Sequence, residues 1–219
     1  MPIPQKHQYL SNLCDTLALR WPDNRTVNLI CHGHSVPSGY ACTPFVDSFH
    51  AYPHRMQQTL SQRFPYAVIN VIITAIGGED SMQGASRFEE DVLCHKPDLI
   101  TLDYGLNDRR LTLGQAERAW REMIERALSR GIPMILLTPS WDQSWFTRSG
   151  EWRLLEQHAE QIRRLADTYS IALADSFRAY EQEVSRNGNL LNLLSHWNHP
   201  SPLGHELIAG ELTAWFPAR

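Results

Sequence analysis

Apolar residues in this chain recur at two alternating spacings, which predict strands separated by helices. Tyr9, Leu10, Leu13, Leu17 and Leu19 fall near the helical period, so a first helix is expected over about residues 4 to 20, ending before Trp21-Pro22. The β-branched run Thr26 to Cys31 follows as a strand and stops in a cluster of Gly, Ser and Pro. Met56, Leu60 and Phe64 mark a helix that stops before Pro65. Ala67 to Ala75 is nearly continuous in apolar character, the pattern of a strand covered on both faces. A helix is expected from about Ser81 to Leu93, a strand over Asp98 to Tyr104, and a helix opened by a capping box of Thr112 and Gln115. Pro133 to Thr138 reads as a fourth strand and Ile171 to Ala174 as a short fifth. Between them Trp152, Leu155, Ala159, Ile162, Leu165 and Tyr169 keep one long helix in register, preceded by an irregular stretch from Pro139 to Gly150. A helix over Phe177 to Val184, a turn at Arg186 to Asn189 and a last helix opened by Ser201-Pro202 complete the chain.

Strands alternating with helices imply a five-stranded, mostly parallel sheet with helices on both faces, a three-layer α/β/α sandwich. No internal repeat or linker interrupts the alternation, and 219 residues suit one domain over residues 1–219. Hydrophobic residues at 42% and charged residues at 20% are ordinary for a globular protein. The net charge of −4 comes without any run of Lys or Arg, which argues against a nucleic-acid partner. Met1 to Leu10 is polar and carries Lys6 and His7, with no apolar segment behind it. Nothing in the chain is long and apolar enough to span a bilayer, so a cytoplasmic protein is expected. Cys14, Cys31, Cys42 and Cys94 lack paired spacing and read as free thiols.

In a parallel sheet the carboxyl ends of the strands gather at one edge, where ligands bind. Three turns sit at such ends: Gly33-His34-Ser35, Gly77-Gly78 and Gly105-Leu106-Asn107-Asp108. Ser35 is a candidate nucleophile, although a serine in a Gly-rich turn is by itself only a turn residue. The Ser35 and Gly78 N–H groups and the Asn107 side-chain amide are candidate oxyanion donors. His199, stiffened by Pro200 and Pro202 on its C-terminal side, is a candidate base.

Four short blocks then carry a resemblance. Gly33-His34-Ser35-Val36-Pro37-Ser38-Gly39, Gly78, Gly105 to Asp108, and His199-Pro200 through Gly204-His205 resemble, in order, the four blocks of the SGNH hydrolases, or GDSL esterase/lipase family. They span residues 33 to 205. The resemblance implies a flavodoxin-like SGNH hydrolase fold with Ser35 as nucleophile, His199 as general base, and an oxyanion hole of Ser35, Gly78 and Asn107. It also implies a carboxylic ester substrate, with an acetyl or other short acyl ester expected, on a small molecule or a carbohydrate, and no metal or organic cofactor. The same residues would serve an acyltransferase or a thioesterase. A non-catalytic ligand-binding module is the rival from another class. No feature fixes the oligomeric state.

Two departures from the family pattern shape the expectations. His34 stands where the family usually has Asp, which predicts altered hydrogen bonding in the loop rather than lost chemistry. His196 occupies the position of the family's acid, three residues before the histidine. A backbone carbonyl from Ser195 to Trp197 is the favoured replacement, ahead of a carboxylate such as Asp108 or Glu206. Asp108 is otherwise expected to be structural, and His205 to pack or cap within the last helix. Glu79 and Asp80 are expected to begin the second-block helix, with Gly84 and Arg87 ordinary helix and surface residues. Cys31, His32, His34, His196, His199 and His205 fit no zinc spacing. Trp141, Trp145, Phe146 and Trp197 would make an aromatic wall for substrate, but at least two of them are expected in the core.

Overall fold

A computed structural model of the protein describes residues 4–217. The chain begins with α1 (Lys6–Tyr9) and α2 (Ser11–Ala18), then runs β1 (Thr26–Gly33), α3 (Ser35–Ser38), α4 (Tyr52–Arg63) and β2 (Val68–Ile73). It continues through α5 (Ser81–Ser86), α6 (Phe88–Asp91), β3 (Leu99–Asp103), α7 (Leu113–Leu128) and β4 (Met134–Leu137). The last elements are α8 (Ser144–Thr147), α9 (Gly150–Tyr169), β5 (Ala172–Ala174), α10 (Ser176–Asn187) and α11 (Pro202–Thr213). The sheet order is β2-β1-β3-β4-β5, and all four pairings are parallel.

The strand pleat sends alternate side chains to opposite faces. Ile135 and Leu137 of β4 enter a core with α4, α10 and α11, whereas Met134 and Leu136 enter one with α5, α7 and the C-terminal half of α9. Helices therefore cover both faces, as the alternation of elements requires. β1 and β3 lie inside the sheet, and every residue of β3 is buried. Each fully buried Leu or Ile contributes about 1.5–3 kcal/mol relative to its exposed state. These central strands are the rigid floor from which the turns at their carboxyl ends project.

Three elements differ from the sequence reading. The first helix is interrupted at Leu10, beside Tyr9, whose hydroxyl donates to the Met134 carbonyl (3.0 Å) and accepts from the Met134 N–H (3.1 Å). β2 is not covered on both faces: it is an edge strand, and Val68 is 48% exposed because nothing lies beyond it in the sheet. The expected helix from Ser81 to Leu93 breaks at Arg87 into α5 and α6, followed by a 3₁₀ turn at Leu93–His95. At the break the Arg87 guanidinium turns back onto Glu79 instead of facing solvent.

Candidate active site

β1 delivers the first turn. The His34 N–H donates to the Asp103 carbonyl of β3 (3.2 Å), which carries the ladder one residue past the strand. The chain then turns into α3, with Ser35 as its first residue. Here the replaced family position explains itself. His34 Nδ1 accepts from the Val36 N–H (3.1 Å), so the imidazole caps α3. Nδ1 is therefore the unprotonated nitrogen, and Nε2 lies 3.4 Å from the Asp103 carboxylate. Both side chains are buried.

His199 comes from the loop before α11, whose first turn is capped by the Ser201 hydroxyl accepting from the Gly204 N–H (3.2 Å). Ser195 fixes the loop from within: its N–H and hydroxyl donate to the His199 carbonyl at 2.9 and 3.2 Å. The ring reaches across the edge of the sheet to Ser35, with Oγ 3.0 Å from Nε2. On its other side Nδ1 lies 2.9 Å from the carbonyl of Ala41, and Thr43 Oγ1 stands 3.5 Å away. A carbonyl can only accept, so Nδ1 carries the proton and Nε2 presents its lone pair to the Ser35 hydroxyl. Burial holds His199 below the ordinary imidazole range; the Ala41 carbonyl works against this, and the nearby His34 and His196 add to it.

The group facing Nδ1 is thus a backbone carbonyl, but it comes from the loop after α3, not from Ser195 to Trp197. That segment is engaged elsewhere: Ser195 bonds the His199 main chain, and the Trp197 carbonyl accepts from the Gln143 N–H (3.0 Å). Neither proposed carboxylate serves as a substitute. Asp108 is fully buried, with Oδ1 accepting from the Ser81 N–H (2.8 Å) and Oδ2 from Trp120 Nε1 (2.7 Å). Burial pushes its carboxyl up to about 6, against the pull of these two donors. Glu206 is exposed and lies 3.8 Å from Arg55.

The two remaining turns meet each other at the carboxyl ends of β2 and β3, the strands that flank β1. Gly78 has φ of +86°, a left-handed conformation that favours glycine, and a Cβ built there would meet nothing within 4 Å. Its N–H and that of Ser35 have no hydrogen-bond partner among the described residues. Asn107 Nδ2 donates to the Glu79 carbonyl at 2.8 Å, which fixes the amide plane and leaves its second N–H unassigned. Beneath this contact the Glu79 carboxylate grips Arg87 through Nε (2.9 and 3.0 Å) and Nη2 (2.5 Å). Glu79 therefore does not begin α5; Asp80 does, as N-cap of a full capping box with Gln83. Arg87 is largely enclosed, and Gly84 is a packing requirement, because a Cβ there would stand 2.2 Å from the Tyr104 hydroxyl. Sequence reasoning missed both roles; Arg87 eight residues after Glu79 was the available signal.

The histidines each have separate tasks. His32 Nδ1 pairs with the Thr74 hydroxyl (2.9 Å) and Nε2 with the Tyr104 hydroxyl (3.0 Å), and burial pushes it down to about 4. His205 is buried in α11 and accepts from the Tyr52 N–H (3.2 Å); burial takes it down to about 3. Among the described residues no group of three or more His, Cys, Asp or Glu is arranged to hold a metal ion.

The stretch 139–150 is an anchored bridge. Trp141 is buried against Trp145, Trp152 and Phe177. Asp142 pairs with Arg109 at 2.7 Å, next to the Asn107 turn, and Gln143 holds the Trp197 carbonyl next to His199. Trp141 and Trp145 belong to the core and its cover, whereas Phe146 (51%) and Trp197 (63%) are exposed.

Residues 31–207 match the GDSL-like Lipase/Acylhydrolase family, a span that holds all four of the turns and loops described above. The chain belongs to this family. As a GDSL-family protein it is a carboxylic ester hydrolase. An acetylxylan esterase of Geobacillus stearothermophilus is 24% identical over 162 residues, covering 67% of this chain and 71% of the relative. A solved structure of an acetyl-xylooligosaccharide esterase from the same organism superposes with a TM-score of 0.75 at 22% identity, over 88% of this chain and 95% of that one. LAE5, an alpha/beta hydrolase enzyme from the metagenome of Lake Arreo, superposes with a TM-score of 0.76 at 20% identity, over 87% and 94%. The variants of the Geobacillus enzyme described as catalytic alter a serine, a histidine and an aspartate. Among the described residues of the present GDSL-family chain, no carboxylate makes a hydrogen bond or ion pair to His199. No helix among them is long and apolar enough to cross a membrane.

Proposed function

We propose that this chain hydrolyses short acyl esters with a two-residue catalytic pair, Ser35 and His199, oriented by the Ala41 carbonyl. The observation that carries the reading is the chain of contacts from Ser35 Oγ to Nε2 (3.0 Å) and from Nδ1 to Ala41 (2.9 Å). His199 Nε2 takes the proton from Ser35 Oγ as the oxygen attacks the ester carbonyl. The Ser35 and Gly78 N–H groups and the Asn107 amide receive the developing oxyanion. As the tetrahedral intermediate collapses, the protonated ring gives its proton to the leaving alcohol. A water deprotonated by the same nitrogen then attacks the acyl-enzyme and frees the acid.

A carbonyl dipole carries no net charge, so it fixes the tautomer as a carboxylate would but stabilises the imidazolium less. The reading is therefore a working base with low basicity. An acetyl group on a carbohydrate is the favoured substrate class, supported by the likeness to acetylxylan esterases and by the exposed Trp197 two residues from His199. Initial rates on p-nitrophenyl acetate and on acetylated xylo-oligosaccharides test this directly. Wild type should turn over both, and Ser35→Ala should lose about 10⁴-fold or more in kcat. Equal rates in the two proteins would overturn the assignment of Ser35. Turnover of the aryl ester alone would overturn the carbohydrate part.

A further inference from the structure

Gly78 poses a problem that its neighbours answer. It is exposed, it sits in a left-handed turn, and no packing atom lies where a side chain would be. Nothing about the residue itself holds its N–H in one direction. Its carbonyl, however, accepts a hydrogen bond from Arg110 Nη2, thirty-two residues along the chain. The same guanidinium places Nε 3.4 Å from the Asn107 carbonyl, and the Arg110 main-chain N–H donates to that carbonyl at 3.1 Å. One side chain thus spans the backbones of Gly78 and Asn107. The second link between the two turns is the Asn107 Nδ2 bond to the Glu79 carbonyl, one residue after Gly78. Asn107 forms the hinge of a 3₁₀ turn, Asp108–Arg110, whose Asp108 is locked under α5 and α7 by Ser81 and Trp120. The Arg110 end of this turn is therefore rigidly founded, whereas the Gly78 peptide, flanked by a Glu79 that is held on both sides, has Arg110 as the partner of its carbonyl.

We propose that Arg110 is a positioning residue for the oxyanion hole: it ties the Gly78 turn to the Asn107 turn and sets the separation of the two donors. This rests on the esterase reading above. The guanidinium does not touch the reacting atoms. Its charge also raises the positive potential beside the developing oxyanion, and its fork reaches two carbonyls where a lysine ammonium would reach one. Donors that are misplaced by about 1 Å lose transition-state stabilisation while ground-state binding is little changed.

The test is steady-state kinetics on p-nitrophenyl acetate with wild type, Arg110→Ala and Arg110→Lys, alongside thermal unfolding. Arg110→Ala should lose about 10- to 100-fold in kcat with KM within about twofold, and its Tm should stay close to wild type, as for other exposed substitutions. Arg110→Lys should recover part of the loss, and millimolar guanidinium should partly restore Arg110→Ala without affecting wild type. An unchanged kcat in Arg110→Ala would overturn the proposal, as would a loss that follows a fall in Tm and resists guanidinium. A wild type that neither hydrolyses the ester nor is modified at Ser35 by an organophosphate would instead overturn the esterase reading itself.

Discussion

At the scale of single residues, the site turns on which proton His199 holds. The Ala41 carbonyl forces the proton onto Nδ1, and burial weakens the ring as a base. In the proposed mechanism the neutral ring is the active form, so activity should be present above the His199 pKa and lost as pH falls through it. The acid limb of kcat/KM should therefore lie below 6.5, the ordinary imidazole value. His196 is one of the groups that lower this pKa, so His196→Asp should move the limb upward by putting a carboxylate in its place. A pH–rate profile of both proteins on a soluble acetyl ester measures this, and a limb that stays in place would contradict the electrostatic account. The replacement of Asp by His34 shows the same economy. What that position requires is an acceptor for the Val36 N–H, and Nδ1 supplies one.

At the scale of elements, Asp108 joins three of them. Its two oxygens accept from the start of α5 and from the Trp120 indole of α7, while its own turn leads to α7 and presents Asn107. Asp108→Asn would turn an amide NH₂ toward one of the two donors. The cost should be about 1–3 kcal/mol of stability, read from denaturant unfolding. An unchanged midpoint would mean that the carboxylate is not the joint we describe. The strands, the order of the helices and the three turns were legible because apolar periodicity and Gly-rich stops are local signals. The edge exposure of β2 and the break at Arg87 were not, since each depends on what lies alongside in space. The Ala41 carbonyl was the least legible of all: every residue has a carbonyl, and only the path of the loop after α3 brings this one to His199. Where the sequence pointed to a carbonyl from Ser195 to Trp197, the kind of group was right and the segment was wrong.

At the scale of the whole molecule, the fold encloses several neutral histidines. Burial pushes His32 and His158 down to about 4 and His205 to about 3. Their unfolded forms titrate near 6.5, so between that pH and about 4 the unfolded chain binds protons that the folded one refuses. Stability should accordingly fall as pH drops through this window. Asp108 works in the opposite sense between 3.8 and about 6, but three imidazoles outweigh one carboxyl. Thermal unfolding should show a clearly lower Tm at pH 4.5 than at pH 7, and an equal or higher one would contradict this balance.

The same architecture brings a hydroxyl from the end of the first strand to an imidazole from just before the last helix, 164 residues later. Treatment with a fluorophosphonate ester followed by peptide mass spectrometry tests that meeting most directly. The account predicts one stoichiometric adduct on Ser35, formed faster as pH rises through the His199 titration and absent from Ser35→Ala. A wild-type protein that stays unmodified, or a Ser35→Ala variant labelled to the same extent, would contradict it.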